Sequence, residues 1–284
     1  MTKYRLFKDR VFKYIMMVSM ITTLFFLFCI IAVISYKGLP SLNWQMITQT
    51  PKGGYYLAKE GGVLNAILGS LYLSSMAIML TMMISIPLVL YMNNFLKKGS
   101  LLVWMIRFVL DVLCGVPSIV YGALALIIMY FFGIRASSLG GIIALSLVIF
   151  PIMARSLDEV MQLVPGELLE ASYALGTLEY EISFYIMLRQ TFPGIIMAIL
   201  LSFSRAVGDA ASVLFTAGFS DRITFSFFRP VATLPLSIFF QLTSPIPQVQ
   251  NRAYASAIIL TIIILIISIA VRFVAGRGEK YIIK

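Results

Sequence analysis

Histidine is absent from this chain of 284 residues, and charged residues make up only 12% of it. Without histidine the commonest general base and the commonest metal ligand are missing, so His-dependent catalytic triads and His-containing metal sites are excluded for this chain. The two cysteines, Cys29 and Cys114, both fall within apolar runs, where a thiol usually serves as a small hydrophobic side chain. The phosphate-binding pattern G-x-x-x-x-G-K-[ST] is also missing, so we expect neither a metal site nor an ATP site in this chain.

Apolar residues dominate what is present. They make up 60% of the sequence, and the mean hydropathy of +0.96 is far above that of soluble globular domains. Six apolar runs have about the length that a bilayer crossing needs, and they lie at 14–35, 63–92, 114–132, 138–153, 192–215 and 253–273. The sequence therefore predicts an all-α polytopic membrane protein with six transmembrane helices.

The net charge of +10 comes from basic residues whose positions are related to the predicted spans. Basic residues sit at the ends of the apolar runs, which favours membrane lipids as partners and argues against a nucleic acid. If both termini are cytoplasmic, 13 Lys and Arg residues lie on the cytoplasmic side and 7 outside, with Arg107 and Arg205 in or near the membrane. Because cytoplasmic loops are enriched in basic residues, we expect both termini in the cytoplasm.

A polar segment separates the fourth apolar run from the fifth. It holds six of the twelve acidic residues, namely Asp158, Glu159, Glu167, Glu170, Glu179 and Glu181. Residues 170–175 favour a helix, Gly176 can take the left-handed conformation that ends one, and Thr177 can cap a second helix beginning near Leu178. The segment therefore predicts a helix-turn-helix outside the bilayer.

The spacing within this segment resembles the EAA loop of importer-type ABC permeases. That pattern is E-A-A, three residues, G, nine residues and I-x-L-P, and the matching residues here are Glu170, Ala171, Gly176, Ile186 and Leu188. Ser172 replaces the second alanine, and Arg189 replaces the proline. The resemblance implies a type I (MetI-like) permease fold, in which this loop docks into a cytoplasmic ATPase.

Two pairs of opposite charges have i,i+4 spacing in apolar sequence, Arg107 with Asp111 and Arg205 with Asp209. The first pair lies in the apolar segment 101–132, whose beginning predicts a short amphipathic or interfacial helix that leads into the third span. A charge at mid-bilayer costs roughly 2.5–3.5 kcal/mol, so each needs a partner or water. For Arg107 and Asp111 we favour mutual pairing near the headgroups over a role in transport.

Two interpretations stay open for Arg205 and Asp209. They could form an ion pair that locks the helix bundle, or they could bind an anion. A guanidinium matches two phosphate oxygens, and a carboxylate accepts a proton from protonated phosphate but repels sulfate.

The stretch from Gly115 to Ser118 interrupts the apolar segment 101–132. Pro117 removes a backbone donor and frees a carbonyl, while Ser118 can satisfy that carbonyl or line a pathway. Gly115 and Pro117 therefore predict a kink, and Ser118 is a candidate pathway residue.

Three stretches resemble the phosphate-specific permeases of ABC importers, more their PstA-type than their PstC-type subunit. Residues 115–122 match G-x-P-S-I-V-x-G, residues 205–209 match R-x-x-G-[ED], and residues 230–235 have the sequence PVATLP. Asp209 is shorter than the Glu more often found in the family.

This resemblance implies a permease subunit of an ATP-driven importer of inorganic phosphate in a bacterial cytoplasmic membrane, working by alternating access. Arg205, Asp209 and Ser118 would lie on the substrate pathway. The implied partners are a PstC-type second permease, a homodimeric PstB-type ATPase that binds ATP and Mg, and a PstS-type phosphate-binding protein. The chain itself would hold no cofactor and catalyse no reaction.

The predicted organisation comprises a tail, first helix and outer loop at 1–62, a permease domain at 63–274 with a cytoplasmic loop at 155–190, and a basic tail at 275–284. The sequence leaves open a PstC-type subunit, or a permease for another oxyanion or a phosphonate. A channel or secondary transporter would share the spans but would not require the EAA-like loop. An intramembrane enzyme is less consistent, because no nucleophile lies beside an evident base.

Overall fold

The computed structural model describes residues 3–52, 60–97 and 99–278. Residues 279–284 of the predicted basic tail lie outside the described part, and the division of the chain at 62 and 274 stays a prediction. The helices are α1 Lys3–Gly38, α2 Trp44–Thr48, α3 Leu64–Leu90, α4 Leu101–Cys114, α5 Ser118–Phe131, α6 Ser138–Met161, α7 Gly166–Ala174, α8 Glu179–Glu181, α9 Leu188–Gly208, α10 Leu234–Leu242 and α11 Pro247–Gly278. Two short strands, β1 Pro51–Lys52 and β2 Glu60–Gly61, pair antiparallel.

Two π-helical turns extend these helices. One turn, Tyr91–Phe95, continues α3, and the other, Ile182–Met187, joins α8 to α9. A short 3₁₀ helix, Leu39–Ser41, follows α1.

Five helical stretches are long and apolar enough to cross a membrane, at Phe7–Ser41, Leu64–Phe95, Ser138–Met161, Glu179–Gly208 and Pro247–Val274. The third predicted span and the short helix predicted before it are present as α5 and α4, two 14-residue helices that meet at 99°. The prediction of an all-helical membrane protein is therefore confirmed, with six spans if the bent pair counts as one.

The bend between α4 and α5 changes the predicted third span. We expected a helix from about 114 to 132, but α5 begins only at Ser118, directly after Pro117. The Tyr121 hydroxyl donates a hydrogen bond to the Leu113 carbonyl at 2.8 Å and so ties the two helices together across the bend. Fourteen residues of helix measure about 21 Å, whereas the hydrocarbon core is about 30 Å thick. Helix α5 alone is therefore too short to cross the bilayer.

The core is centred on α3 and α6, which pack along each other. The buried face of α3 carries small and hydroxyl side chains, among them Ser74, Ala77 and Thr81. The hydroxyls of Thr81 and Ser146 both donate to the Ala77 carbonyl, at 2.7 and 3.2 Å. Small residues let helix backbones approach closely, and such hydrogen bonds satisfy the hydroxyls in a membrane.

The fifth predicted span is shorter than expected. Helix α9 ends at Gly208, and Asp209 has an extended backbone with φ −83° and ψ 121°, so the predicted helix as far as Phe215 is wrong. The chain then turns into an outer segment that is held to the start of α6. The backbone N–H of Ser137 donates to the Thr216 carbonyl at 2.9 Å, and that of Ser138 donates to the Arg229 carbonyl at 2.9 Å.

Candidate functional site

Arg205 lies in the last turn of α9, and Asp209 follows the end of that helix. Their side chains form the predicted i,i+4 ion pair, with 3.3 Å between Arg205 Nη2 and Asp209 Oδ1. The Asp209 side chain is only 3% exposed, whereas that of Arg205 is 48% exposed. The second carboxylate oxygen, Oδ2, accepts the backbone N–H of Ser212 at 2.9 Å. Asp209 is therefore anchored within the protein, while the Arg205 side chain is half-exposed at the surface.

The surface beside Arg205 is apolar. Leu201, one helical turn earlier on α9, is 53% exposed. A charge that faced hydrocarbon here would cost roughly 2.5–3.5 kcal/mol. The half-exposed Arg205 side chain therefore requires water, an anion or another protein beside its charge.

The motif at residues 115–122 contacts this site through Gly122. A Cβ atom at Gly122 would lie 2.6 Å from the carbonyl oxygen of Ser212 and 3.0 Å from its Cα. Only glycine lets α5 approach the turn that anchors Asp209 this closely. Ser118, the first residue of α5, lies one helical turn before Gly122, and no hydrogen bond joins it to Arg205 or Asp209 in the described part of the chain.

Ser212 is a site residue that the sequence reasoning missed. It is fully buried, and its hydroxyl has no hydrogen-bond partner among the described residues. The signal for it is the D-x-x-S spacing, because Asp side chains commonly accept a backbone N–H two or three residues later.

The PVATLP stretch has a packing role. A Cβ at Gly69 of α3 would lie 2.0 Å from the Ala232 carbonyl oxygen. The Leu234 backbone N–H donates to the Ser70 hydroxyl at 2.8 Å. This stretch therefore fixes the outer segment on α3, and none of these contacts involves the Arg205–Asp209 pair.

The predicted helix-turn-helix is present. Helix α7 is followed by Gly176 in the left-handed conformation, with φ +80°, and α8 begins at Glu179. The prediction that Thr177 caps the second helix is wrong, because its hydroxyl donates back to the Ser172 carbonyl. Instead, Leu178 occupies the cap position, and its backbone N–H donates to Glu181 Oε2 at 2.9 Å.

The five EAA-like residues fall into two environments. Glu170, Ala171 and Gly176 are exposed at the turn. Ile186 and Leu188 are partly buried and pack against the main core. The exposed group is thus available to another protein, while the other two residues join the turn to the bundle.

The predicted pairing of Arg107 with Asp111 is wrong. Arg107 instead makes a bidentate contact with Asp158, with its Nε 2.8 Å from Oδ2 and its Nη2 3.0 Å from Oδ1. Asp111 pairs with Arg155 Nε at 3.1 Å. The planar guanidinium matches a carboxylate bidentately, and the packing of α4 against α6 brings Asp158 within reach of it.

Asp158 has no exposed surface. We had placed it in a cytoplasmic loop, but α6 continues to Met161 and carries it into the core. It also accepts hydrogen bonds from Asn93 and Gln162, each at 2.8 Å, and from Arg155 at 3.4 Å. We call Asp158 and these four donors, Asn93, Arg107, Arg155 and Gln162, the Asp158 cluster.

Within residues 3–52, 60–97 and 99–278, no group of three or more His, Cys, Asp or Glu side chains could hold a metal ion. Two roles are candidates for the described residues: anion contact through Arg205 and docking through the exposed turn.

Comparisons with known proteins bear on both roles. Residues 85–280 match the model of a family described as binding-protein-dependent transport system inner membrane component. The phosphate transport system permease protein PstA of Yersinia pestis is 32% identical over 96% of this chain and 91% of its own length. The PstA 1 protein of Mycobacterium tuberculosis strain H37Rv is 35% identical over 78% of this chain and 72% of its own length.

A solved structure gives a likeness of fold. A chain of the MetNI methionine ABC transporter, solved in inward-facing conformations, superposes with a TM-score of 0.60. The match covers 75% of this chain and 95% of that chain at 18% identity, which shows a shared permease fold.

Proposed function

Because this chain belongs to the binding-protein-dependent transport system inner membrane components and, among them, to the PstA-type phosphate permeases, we propose that it forms part of the membrane path of an ATP-driven importer of inorganic phosphate. A second permease subunit completes that path. The chain is a transport subunit, and ATP with Mg binds to a separate ATPase.

The observation that carries this proposal is the half-exposed Arg205 held by a buried carboxylate. One terminal nitrogen of Arg205 pairs with Asp209, and the other N–H groups of the guanidinium remain for a ligand. A guanidinium suits phosphate because two N–H groups can donate to two oxygens at once. Arg205 is therefore our candidate for direct phosphate contact.

Asp209 has a different role in this proposal. Both of its oxygens are engaged within the chain, one by Arg205 and the other by the Ser212 N–H. It therefore acts as a positioning residue that fixes the guanidinium.

Ser118 lies one turn before Gly122 on α5. Residues four apart share a helix face. Since Gly122 contacts the Ser212 turn, we propose that Ser118 lines the pathway on the same side.

The partners follow from where the exposed groups lie. The turn around Glu170, Ala171 and Gly176 would receive a PstB-type homodimeric ATPase, which requires the turn and both termini to be cytoplasmic. Leu175 at this turn is 88% exposed and suits burial by such a partner. A PstC-type permease would face Arg205, and a PstS-type binding protein would deliver phosphate to the outer segment.

Uptake of radiolabelled phosphate into proteoliposomes tests the proposal. The vesicles contain this chain, its candidate partner permease, the ATPase and the binding protein. We expect ATP-dependent phosphate uptake that an excess of sulfate does not inhibit. Uptake that requires the ATPase but carries sulfate or a phosphonate instead would retain the transporter class and overturn the substrate. Uptake that needs no ATPase would favour a channel or secondary transporter.

Variants separate the roles of Arg205 and Asp209 in the same assay. We expect Arg205→Ala to abolish uptake while the complex still assembles, and Asp209→Asn to lower uptake by about ten- to a hundredfold through misplacement of Arg205. The exposed outer residue Arg135 supplies the control, and Arg135→Ala should behave as the wild type. Loss of the folded complex with Arg205→Ala would instead support an ion pair that locks the bundle.

A further inference from the structure

The π-helical turn Tyr91–Phe95 joins the end of α3 to two different parts of the molecule. Its residue Asn94 contacts the helix-turn-helix. Asn94 Nδ2 donates to the Glu179 carbonyl at 2.5 Å and to the Ser183 hydroxyl at 2.8 Å. Asn94 Oδ1 accepts a hydrogen bond from the Tyr173 hydroxyl at 3.4 Å. One side chain thereby holds both the α7 side and the α8 side of the EAA-like segment.

The preceding residue, Asn93, contacts the Asp158 cluster. Its Nδ2 donates to Asp158 Oδ1 at 2.8 Å, and its Oδ1 accepts from Arg107 Nη2 at 3.4 Å. Arg107 belongs to α4, which continues through the 99° bend into α5. Asn93 is thus connected to the helix pair that carries Ser118 and Gly122.

Two neighbouring residues can serve both parts because successive side chains of a helix point in different directions around its axis. The bond from Asn94 to Ser183 also joins the two π-helical turns, since Ser183 lies within Ile182–Met187. Such turns within helices are frequently found at functional sites. A displacement of α8 would therefore act on the turn that holds Asp158 and Arg107.

A cavity of about 250 Å³ lies at this junction. Its lining includes Asn93, Arg107 and Gln162 of the Asp158 cluster and Leu169 of α7. The space between the helix-turn-helix and α4 is therefore not filled by side chains, which leaves room for one to move relative to the other.

We propose that Asn93 and Asn94 are positioning residues that couple the helix-turn-helix to the α4–α5 pair. The proposal rests on the proposed function, in which the helix-turn-helix receives the ATPase. When the ATPase closes, Asn94 transmits the displacement of α8 to the π-helical turn, and Asn93 passes it through the Asp158 cluster to α4. Movement of α4 then shifts α5 against the Ser212 turn that anchors Asp209.

A purely structural role would give a different result from a coupling role. Without Asn93, Asp158 still accepts hydrogen bonds from Arg107, Arg155 and Gln162, so its charge remains compensated. Loss of Asn94 frees no buried charge. Alanine at either position should therefore preserve the folded complex, and a change in coupling can be measured.

The test uses the full complex in proteoliposomes, with Asn93→Ala, Asn94→Ala and the double variant. The quantities measured are phosphate taken up per ATP hydrolysed and ATPase co-purification. Asn251→Ala is the matched control, because Asn251 is exposed on α11, away from the junction. We expect both single variants to retain the ATPase and to lower the uptake per ATP by between about two- and thirtyfold. Because the two residues act in series, the double variant should lower the uptake per ATP by no more than the more strongly affected single variant does.

Several outcomes would overturn the coupling role. One is an unchanged ratio of phosphate taken up to ATP hydrolysed, and another is loss of ATPase co-purification with Asn94→Ala. A third is a double variant in which the effects of the two single substitutions multiply. If Asn93→Ala does not accumulate, the uptake per ATP of Asn94→Ala and of Ser183→Ala tests the coupling role instead. A wild-type complex without ATP-dependent uptake would overturn the proposed function itself, whereas normal wild-type uptake with fully coupled variants would overturn only this inference.

Discussion

Asp158 is a buried carboxylate whose two oxygens accept hydrogen bonds from four side chains, two of them arginines. Removing a charge from water costs several kcal/mol, and paired charges offset that cost only when the geometry is good. The bidentate contact with Arg107 and the amide donors supply that geometry. The cluster thereby fastens α4 and the end of α3 to α6.

We expect Asp158→Ala to lower the free energy of unfolding by about 3–5 kcal/mol, because it leaves Arg107 and Arg155 near each other without their shared carboxylate. Asp111→Ala removes another carboxylate that pairs with Arg155, but that side chain is 53% exposed. An exposed ion pair contributes only about 0–1 kcal/mol. Thermal unfolding of the purified protein in detergent measures both variants, and equal losses of stability would contradict this ranking.

The partner of Arg107 could not be predicted from the sequence. Its i,i+4 spacing to Asp111 was the only local information, and that spacing predicts a pair on one helix face. The choice of Asp158 depends on how α4 crosses α6, which is a contact between residues 51 positions apart. By contrast, the Arg205–Asp209 pair was predictable because both partners lie within one helical turn of each other.

Helix α5 packs closely against the turn that anchors Asp209, and Gly122 makes this approach possible. We expect Gly122→Ala to push α5 away from Ser212, because the added Cβ would meet backbone atoms at 2.6 and 3.0 Å. Overpacking of this kind costs about 1–3 kcal/mol, and phosphate uptake should fall with it. Gly115→Ala is the matched control from the same motif, since its Cβ would meet only the Val112 carbonyl at an ordinary 3.4 Å. Similar uptake by the two variants would show that close packing at Gly122 is not required.

The EAA-like turn depends on a different glycine. Gly176 has a φ of +80° with open space around it, so a substitution there meets backbone strain and no clash. The left-handed conformation costs about 1–2 kcal/mol for an ordinary residue. We therefore expect Gly176→Ala to weaken ATPase binding by about five- to thirtyfold, and Gly176→Glu to weaken it further by adding a charge. Co-purification measures this, and Gly166→Ala in the same loop, where φ is ordinary and space is open, should bind normally.

Local signals account for the elements that were predicted well. Residues 170–176 carry both a helix preference and a glycine at its end, and the helix-turn-helix was found there. The errors lie where tertiary contacts override an apolar run. Residues 210–215 are apolar enough for a helix, but Asp209 accepts the Ser212 N–H and the chain leaves α9 at Gly208. Pro117 predicted a kink at the place where the structure bends by 99°, but a proline alone does not specify the angle.

Across the whole molecule, burial is uneven in a way that indicates where partners and lipid lie. Of the most apolar 18 residues of α6, 67% are buried, whereas the buried shares of the corresponding stretches of α1 and α11 are 0% and 6%. Composition predicted the membrane class, and mean hydropathy follows this arrangement: α1 and α11, at 2.7 and 2.9, are the most apolar and least buried spans, whereas α6, at 1.9, is the most buried. An exposed apolar surface on α11 suits lipid, while the apolar surface beside Arg205 adjoins a charge that lipid would not tolerate.

Thiol labelling of the assembled complex distinguishes these two surfaces. After replacement of Cys29 and Cys114, the only cysteines in the chain, single cysteines are introduced by Leu201→Cys or Ile266→Cys. These positions are 53% and 60% exposed, so exposure alone predicts similar labelling. Only the thiolate reacts, and it forms in contact with water. We therefore expect a charged, membrane-impermeant reagent to label Leu201→Cys at least about tenfold faster, since a charged form in hydrocarbon is disfavoured by more than 1.4 kcal/mol. Phosphate should slow that labelling because Arg205 is retained, and equal labelling at both positions would place the Arg205 surface against lipid and contradict a pathway there.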